Sequence, residues 1–216
     1  RIEGVEKSCL MAMLPTYNKK GVVLLDVGAN AENTAEQLKD FAIMGHVYAK
    51  NIRGIQKPKV ALLNIGSEAK KGDEVHQQTY QLLEEDKMIN FVGNIEGRDI
   101  LLGEVDVIVT DGFSGNIALK TCEGAASVLM KMVKESMMSS LSGKIGALFA
   151  KSSLYSLKDQ FDYKSVGGAL MVGFEKAVVK AHGASDSKAF YNAMELAYQM
   201  VKMDVVTQMK EGLKVS

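Results

Sequence analysis

Three short apolar runs constrain this chain more than any other feature of it. They are VVLL at residues 22–25, VALLNI at 60–65 and DVIVT at 106–110. None shows the strict polar–apolar alternation of a strand with one wet face. Nearly unbroken apolar runs of this length suit strands covered on both faces, the usual condition in a parallel sheet. Each run stops at a turn rich in small and polar residues: DVGAN at 26–30, GSEAKKGD at 66–73 and TDGFSGN at 110–116. Each turn leads into a helical pattern. Asn33-Thr34-Ala35-Glu36 reads as a capping box. Leu38, Phe41, Ala42, Met44, Gly45, Tyr48 and Ala49 then carry an apolar stripe to about residue 51. Further helices are expected over about 73–86, 116–139 and 185–211. The helix over 116–139 carries Ala118, Thr121, Cys122, Ala125, Leu129, Met132 and Val133 at helical spacing. A short strand is expected at 89–92, and VGGALMVGF and AVVKAHGASD supply more strand material. Strands that alternate with helices predict an α/β fold, a sheet with helices on both faces.

Such sheets bind ligands where the carboxyl ends of strands meet the following turns. Four strand ends carry the appropriate residues: DVGAN, NIGSEAKKGD, TDGFSGN and KAHGASD. In the third, Gly112 and Gly115 would let the backbone approach a ligand, and a helix start would present free N–H groups to an anion. Asn116 would donate to a carbonyl or oxyanion; equally, it would serve as the cap of its helix. Lys71, between Lys70 and Gly72, would neutralise a phosphate or polarise a carbonyl; a solvated surface lysine is the plainer alternative. Arg98 would grip phosphate with its planar fork, or pair with Glu96 or Asp99. His182 would touch a ligand or bond backbone. His46 and His76 read as structural, and Cys122 as a core residue.

Composition removes several classes. The chain has 26 basic and 26 acidic residues among 216 and no net charge, so the basic surplus expected of a nucleic-acid binder is missing. Two cysteines, Cys9 and Cys122, with no Cys-x-x-Cys pair, argue against a disulfide framework or zinc site and fit a reducing compartment. No run reaches the roughly 18 apolar residues of a membrane-spanning helix, and the opening RIEGVE resembles no signal peptide. There is no G-x-G-x-x-G, Walker A, G-x-S-x-G or H-E-x-x-H. Residues 139–157, SSLSGKIGALFAKSSLYSL, combine Leu141, Ile145, Leu148 and Phe149 with Lys144 and Lys151, and Lys158 follows. That pattern suits a membrane-surface segment, although its glycines weaken it as a helix; a dimer-packing element or a loop is the alternative.

Taken together, LLDVGAN, FAIMGHVYA, LLNIGSEAKKGDE, INFVGNIEGRD, DVIVTDGFSGNIALKTCEG and VVKAHGASD resemble the PlsX-type phosphate acyltransferases of bacteria, in that family's order and over essentially the whole chain. The weakest match is at 139–165, a stretch that varies in the family. The resemblance implies a three-layer αβα sandwich like that of phosphotransacetylases and isocitrate- or isopropylmalate-type dehydrogenases. It implies transfer of a long-chain acyl group from acyl carrier protein to inorganic phosphate, giving acyl phosphate for phospholipid synthesis, with no metal and no cofactor. By the same resemblance the key lysine falls on Lys71 and the key asparagine on Asn116, with Gly66, Gly72, Asp111, Gly112, Gly115, Arg98 and His182 around the phosphate. Lys70, Lys71 and Arg98 would help to dock the acidic carrier protein.

A homodimer in the cytoplasm is implied, with peripheral contact to the inner face of the membrane and to the acyltransferase that passes the acyl group to glycerol 3-phosphate. Residues 139–165 would be the contacting segment within a single catalytic region, 1–216. The family's D-A-M-G-G-D and G-N-T-G turns have no counterpart here, so the chain is expected to be the carboxyl-terminal two thirds of the family's length. A short-chain phosphotransacetylase and a non-catalytic membrane-surface scaffold are the rival expectations.

Overall fold

Alternate side chains along each inner strand point into two different cores, which is why the apolar runs are nearly unbroken. In the computed structural model, which describes residues 1–160, 168–181 and 185–215, strands β1 (Cys9–Leu14), β2 (Val22–Leu25), β3 (Lys59–Asn64), β4 (Asn90–Glu96), β5 (Val107–Val109), β6 (Ala169–Val172) and β7 (Val178–Lys180) form one sheet in the order β4-β3-β5-β2-β1-β6-β7. Val23, Leu25, Val60, Leu62, Val107 and Val109 join one core, while Val22, Leu24, Ala61 and Ile108 join the other. The first core is closed by helices α1 (Ala35–Asn51), α2 (Glu74–Glu85), α5 (Ser187–Lys202) and α6 (Val205–Val215) through residues such as Phe41, Leu83, Met200 and Met209. On the other face, Ile100 and Val105 pack from the segment after β4, and Ala118 and Leu119 from the start of α3 (Gly112–Met138). The expected α/β architecture, a sheet between two layers, is therefore present.

β2, β5, β3 and β4 run parallel, and β1 lies antiparallel to β2. The element boundaries differ from the sequence reading at several places. Cys9–Leu14 forms a strand that its methionines and alanine did not announce. Residues 141–160 form a continuous helix, α4 (Leu141–Gln160), in spite of Gly143 and Gly146. The expected helix at 185–211 is two helices, because Asp204 takes a left-handed φ of 49° between them. At the start of α1 the capping box is shifted by one residue: the Gln37 N–H donates to Thr34 Oγ1 at 3.3 Å, and the Thr34 N–H donates to Gln37 Oε1 at 3.1 Å.

Asp40, half-buried on α1, gives the fold a pH dependence. Burial, with smaller contributions from Glu6 and Glu36, raises its pKa to about 6 against the opposing pull of Lys39. The native state therefore holds the proton more tightly than the unfolded chain, whose carboxyl titrates near 4. This group's contribution is most favourable below that value and is lost as pH rises through 6. Asp40→Asn should raise the thermal midpoint at pH 8 by about 2–4 °C, allowing for solvent screening of a half-exposed group. At pH 3.5 it should change little. Equal shifts at both pH values would remove Asp40 as the cause.

Candidate active site

Parallel strands β2, β5, β3 and β4 end at the same edge of the sheet, so the turns that follow them form one continuous rim. Across it lie the 26–34 turn, the start of α3, the 65–73 turn and the 97–99 turn, in that order. Asp26 builds the first. Its fully buried carboxylate accepts from the N–H groups of Leu10, Gly28 and Ala29 at 3.0, 3.1 and 2.9 Å through Oδ1. Through Oδ2 it accepts from the Asn30 backbone N–H at 2.9 Å and from Asn30 Nδ2 at 2.8 Å. Five donors satisfy a charge that burial alone would make costly.

This turn packs directly on the start of α3. The helix begins at Gly112, four residues before Asn116, and Asp111 is its cap: the Ser114 N–H donates to Asp111 Oδ1 at 2.8 Å. Asn116 therefore does not cap the helix. Its exposed side chain has no hydrogen-bond partner among the described residues, and a Cβ on Gly28 would sit 3.3 Å from its Cβ and Cγ. Gly112 and Gly115 serve chain-to-chain contact. A Cβ on Gly112 would lie 2.1 Å from the Asn30 carbonyl oxygen, and one on Gly115 would lie 1.9 Å from that of Asp26. The glycines thus let two turns touch and hold Asn116 beside the 26–30 loop.

The 65–73 turn carries Lys71 on the neighbouring strand end. The lysine stem lies over Gly66, where a Cβ would come within 2.9 Å of Lys71 Cγ. Its side chain is about half exposed, and its ammonium is only loosely associated with Glu68, at 3.9 Å. Gly72 takes φ +85°, and a Cβ there would strike His76 Cβ at 2.6 Å and Asn64 Oδ1 at 2.7 Å. Asp73 caps α2, accepting from the His76 N–H at 2.9 Å, and its carboxylate lies 2.7 Å from His76 Nδ1. The hydrogen bonds from His76 hold Asp73 below the usual carboxylate range. His76 thus braces the cap of its own helix. His46 is a buried imidazole whose burial lowers its pKa.

Arg98 reaches the far end of the rim but is already engaged, with Glu96 at 2.8 Å and Asp99 at 3.9 Å. Glu96 and Asp99 thus offset much of its charge. His182 lies outside the described residues. The strand before it, β7, is antiparallel to β6 and so opposes β2, placing Lys180 at the opposite edge of the sheet. Only three of the four expected strand ends therefore lie at one edge, and β4 adds the 97–99 turn beside them. The cysteines are free; burial pushes up the thiol of Cys9 and, less strongly, that of Cys122.

The sequence reading missed Asp26, Asn64 and Asn94. The signal that would have found the first two is an Asp or Asn closing a buried strand just before a glycine turn, where its side chain can bond the following backbone.

Fold and rim define an α/β protein with an open, turn-built candidate site at the carboxyl edge of its parallel strands, where Lys71 and Asn116 are presented on neighbouring turns. A family model described as "Fatty acid synthesis protein" matches residues 1–208, and the chain belongs to that family. Similar relatives are a phosphate acyltransferase of Exiguobacterium sibiricum, 53% identical over 99% of this chain and 64% of the relative, and one of Streptococcus agalactiae, 50% identical over 98% of this chain and 64% of the relative. The chain thus spans 64% of the length of these relatives. Among solved structures, a phosphotransacetylase from Streptococcus pyogenes aligns with TM-score 0.49 and 16% identity, covering 98% of this chain and 56% of that one. The EutD phosphotransacetylase from Staphylococcus aureus aligns with TM-score 0.46 and 19% identity, covering 58% and 44%.

Proposed function

We propose that this chain is the greater part of an enzyme that transfers a long-chain acyl group from acyl carrier protein to inorganic phosphate, giving acyl phosphate. The observation that carries the reading is the adjacency of β3 and β5, which brings the Lys71 turn and the Asn116 helix start side by side on one rim. Similarity to proteins named phosphate acyltransferase supports it.

The chemistry asks little of the protein. Phosphate is already a nucleophile, and a thioester carbonyl is already activated. One phosphate oxygen attacks the carbonyl carbon, the carbonyl becomes a tetrahedral oxyanion, and its collapse expels the carrier thiolate and leaves a mixed carboxylic–phosphoric anhydride. The catalyst must align two reactants and stabilise that oxyanion. Lys71 offsets the charge of phosphate. Asn116 and the N–H groups at the start of α3 donate to the oxyanion or fix the phosphate. Gly66, Gly72, Asp111, Gly112 and Gly115 set the backbone that holds these two residues, and Arg98 marks the outer edge.

Peripheral membrane contact and a homodimer belong to the same proposal. They are supported by the exposed Val128, Leu129, Met132, Leu141, Leu148 and Phe149 on α3 and α4. No helix among the described residues is long and apolar enough to cross a membrane.

The test uses the full reading frame that carries this sequence. Palmitoyl-acyl-carrier-protein is offered with and without phosphate, acetyl-CoA is run in parallel, and acyl phosphate is followed by mass spectrometry. Phosphate-dependent product from the long chain alone is the expected result. Product from acetyl-CoA alone would make the enzyme a short-chain phosphotransacetylase. No product from either, with sedimentation on anionic vesicles retained, would favour the scaffold.

A further inference from the structure

The 65–71 turn is braced at three points by two asparagines from the sheet below it. Asn64, the last residue of β3, is 8% exposed. Its Oδ1 accepts from the Ile65 N–H at 2.8 Å, at the start of the turn, and its Nδ2 donates to the Lys71 carbonyl at 3.0 Å, at the end. One side chain thus closes the loop on itself. Asn94 stands on β4, opposite Leu62 of β3, and its Nδ2 donates to the Glu68 carbonyl in the middle of the loop at 2.8 Å. Between these braces the lysine stem rests on Gly66, and Gly72 supplies the left-handed residue that keeps the chain clear of Asn64 Oδ1. A lysine side chain has four rotatable bonds, so its ammonium is placed only as well as the backbone beneath it.

We infer that Asn64, assisted by Asn94, is a positioning residue for Lys71: it touches no reactant and acts by fixing the backbone from which the ammonium reaches the rim. The inference rests on the reading of Lys71 given above. It goes beyond that reading in assigning a role in turnover to two residues below the rim.

Asn64→Asp isolates the effect. It keeps the size of the side chain and the acceptor for the Ile65 N–H. It replaces the donor facing the Lys71 carbonyl with an oxygen that repels it. In the full reading frame this substitution should lower turnover on the order of tenfold to a hundredfold, the penalty for misplacing a reacting group by about an ångström. The Michaelis constant for the acyl donor should change little. Asn94→Ala should give a smaller loss of the same kind.

The decisive readout is a double-mutant cycle with Lys71→Ala, measured on residual single-turnover activity. If the asparagines act through the lysine, neither substitution lowers turnover further once the lysine is gone. A loss of the same factor in both backgrounds would overturn the inference, and so would normal turnover in Asn64→Asp. If Asn64→Asp fails to give a cooperative thermal transition, the Asn94→Ala cycle decides by the same criterion. Full activity in Lys71→Ala alone would instead refute the reading of Lys71, an outcome separate from additivity.

Discussion

Lys71→Ala and Asn116→Ala should each lower turnover of the full reading frame by about 10²–10³-fold, the loss expected when one preorganised donor to a developing oxyanion is removed. Stability should change little, because both side chains are exposed. Lys71 makes only a loose contact with Glu68, at 3.9 Å, and Asn116 makes no hydrogen bond among the described residues. The kinetic form of each loss assigns the roles. A group that binds phosphate equally in the ground and transition states raises the Michaelis constant for phosphate and spares kcat. A group that meets only the oxyanion lowers kcat and kcat/KM together. We expect Lys71→Ala to raise the Michaelis constant for phosphate in addition to lowering kcat, since phosphate carries its charge from the outset, and Asn116→Ala to lower kcat and kcat/KM together. Near-normal turnover in both variants would refute the proposed site.

The strands that carry the rim were legible because burial on both faces demands apolar side chains at every position, and 22–25 and 107–109 meet that demand. β1 was not legible. CLMAML has no β-branched residue, and its place in the sheet is settled by pairing with β2 on one side and, on the other, with β6, which is distant in sequence. The start of α3 was misplaced because Asn116 and Asp111 are both good cap residues, and glycines 112 and 115 read as turn. Only the approach of the 26–30 loop reveals why a helix would begin with them. The Asp26 network and the asparagine braces under Lys71 were hidden for a related reason. Sequence shows a polar residue at a strand end but not which backbone N–H groups fold back over it. Residue identities at the rim were readable; the contacts that hold them were not.

Gly115→Ala tests the most demanding of those contacts. The methyl group would lie 1.9 Å from the Asp26 carbonyl oxygen and 2.7 Å from Thr110 Cγ2. Neither neighbour can move freely. Asp26 is anchored by five hydrogen bonds to its carboxylate, and its N–H donates to the Thr110 carbonyl at 2.9 Å. The helix and the 26–30 loop must therefore separate, at a cost of about 3 kcal/mol or more, the upper end of overpacking effects. Separation also carries Asn116 away from Gly28, so activity should fall with stability. Gly124 on the same helix is the control. It is exposed, and a Cβ there meets nothing within 4 Å. Gly124→Ala should stabilise by about 0.5–1 kcal/mol through helix propensity alone. Urea unfolding of the two variants thus compares one substitution in one helix with opposite expected signs. If Gly115→Ala is as stable as Gly124→Ala, the two turns do not touch as described, and the placement of Asn116 against the Asp26 loop fails with them.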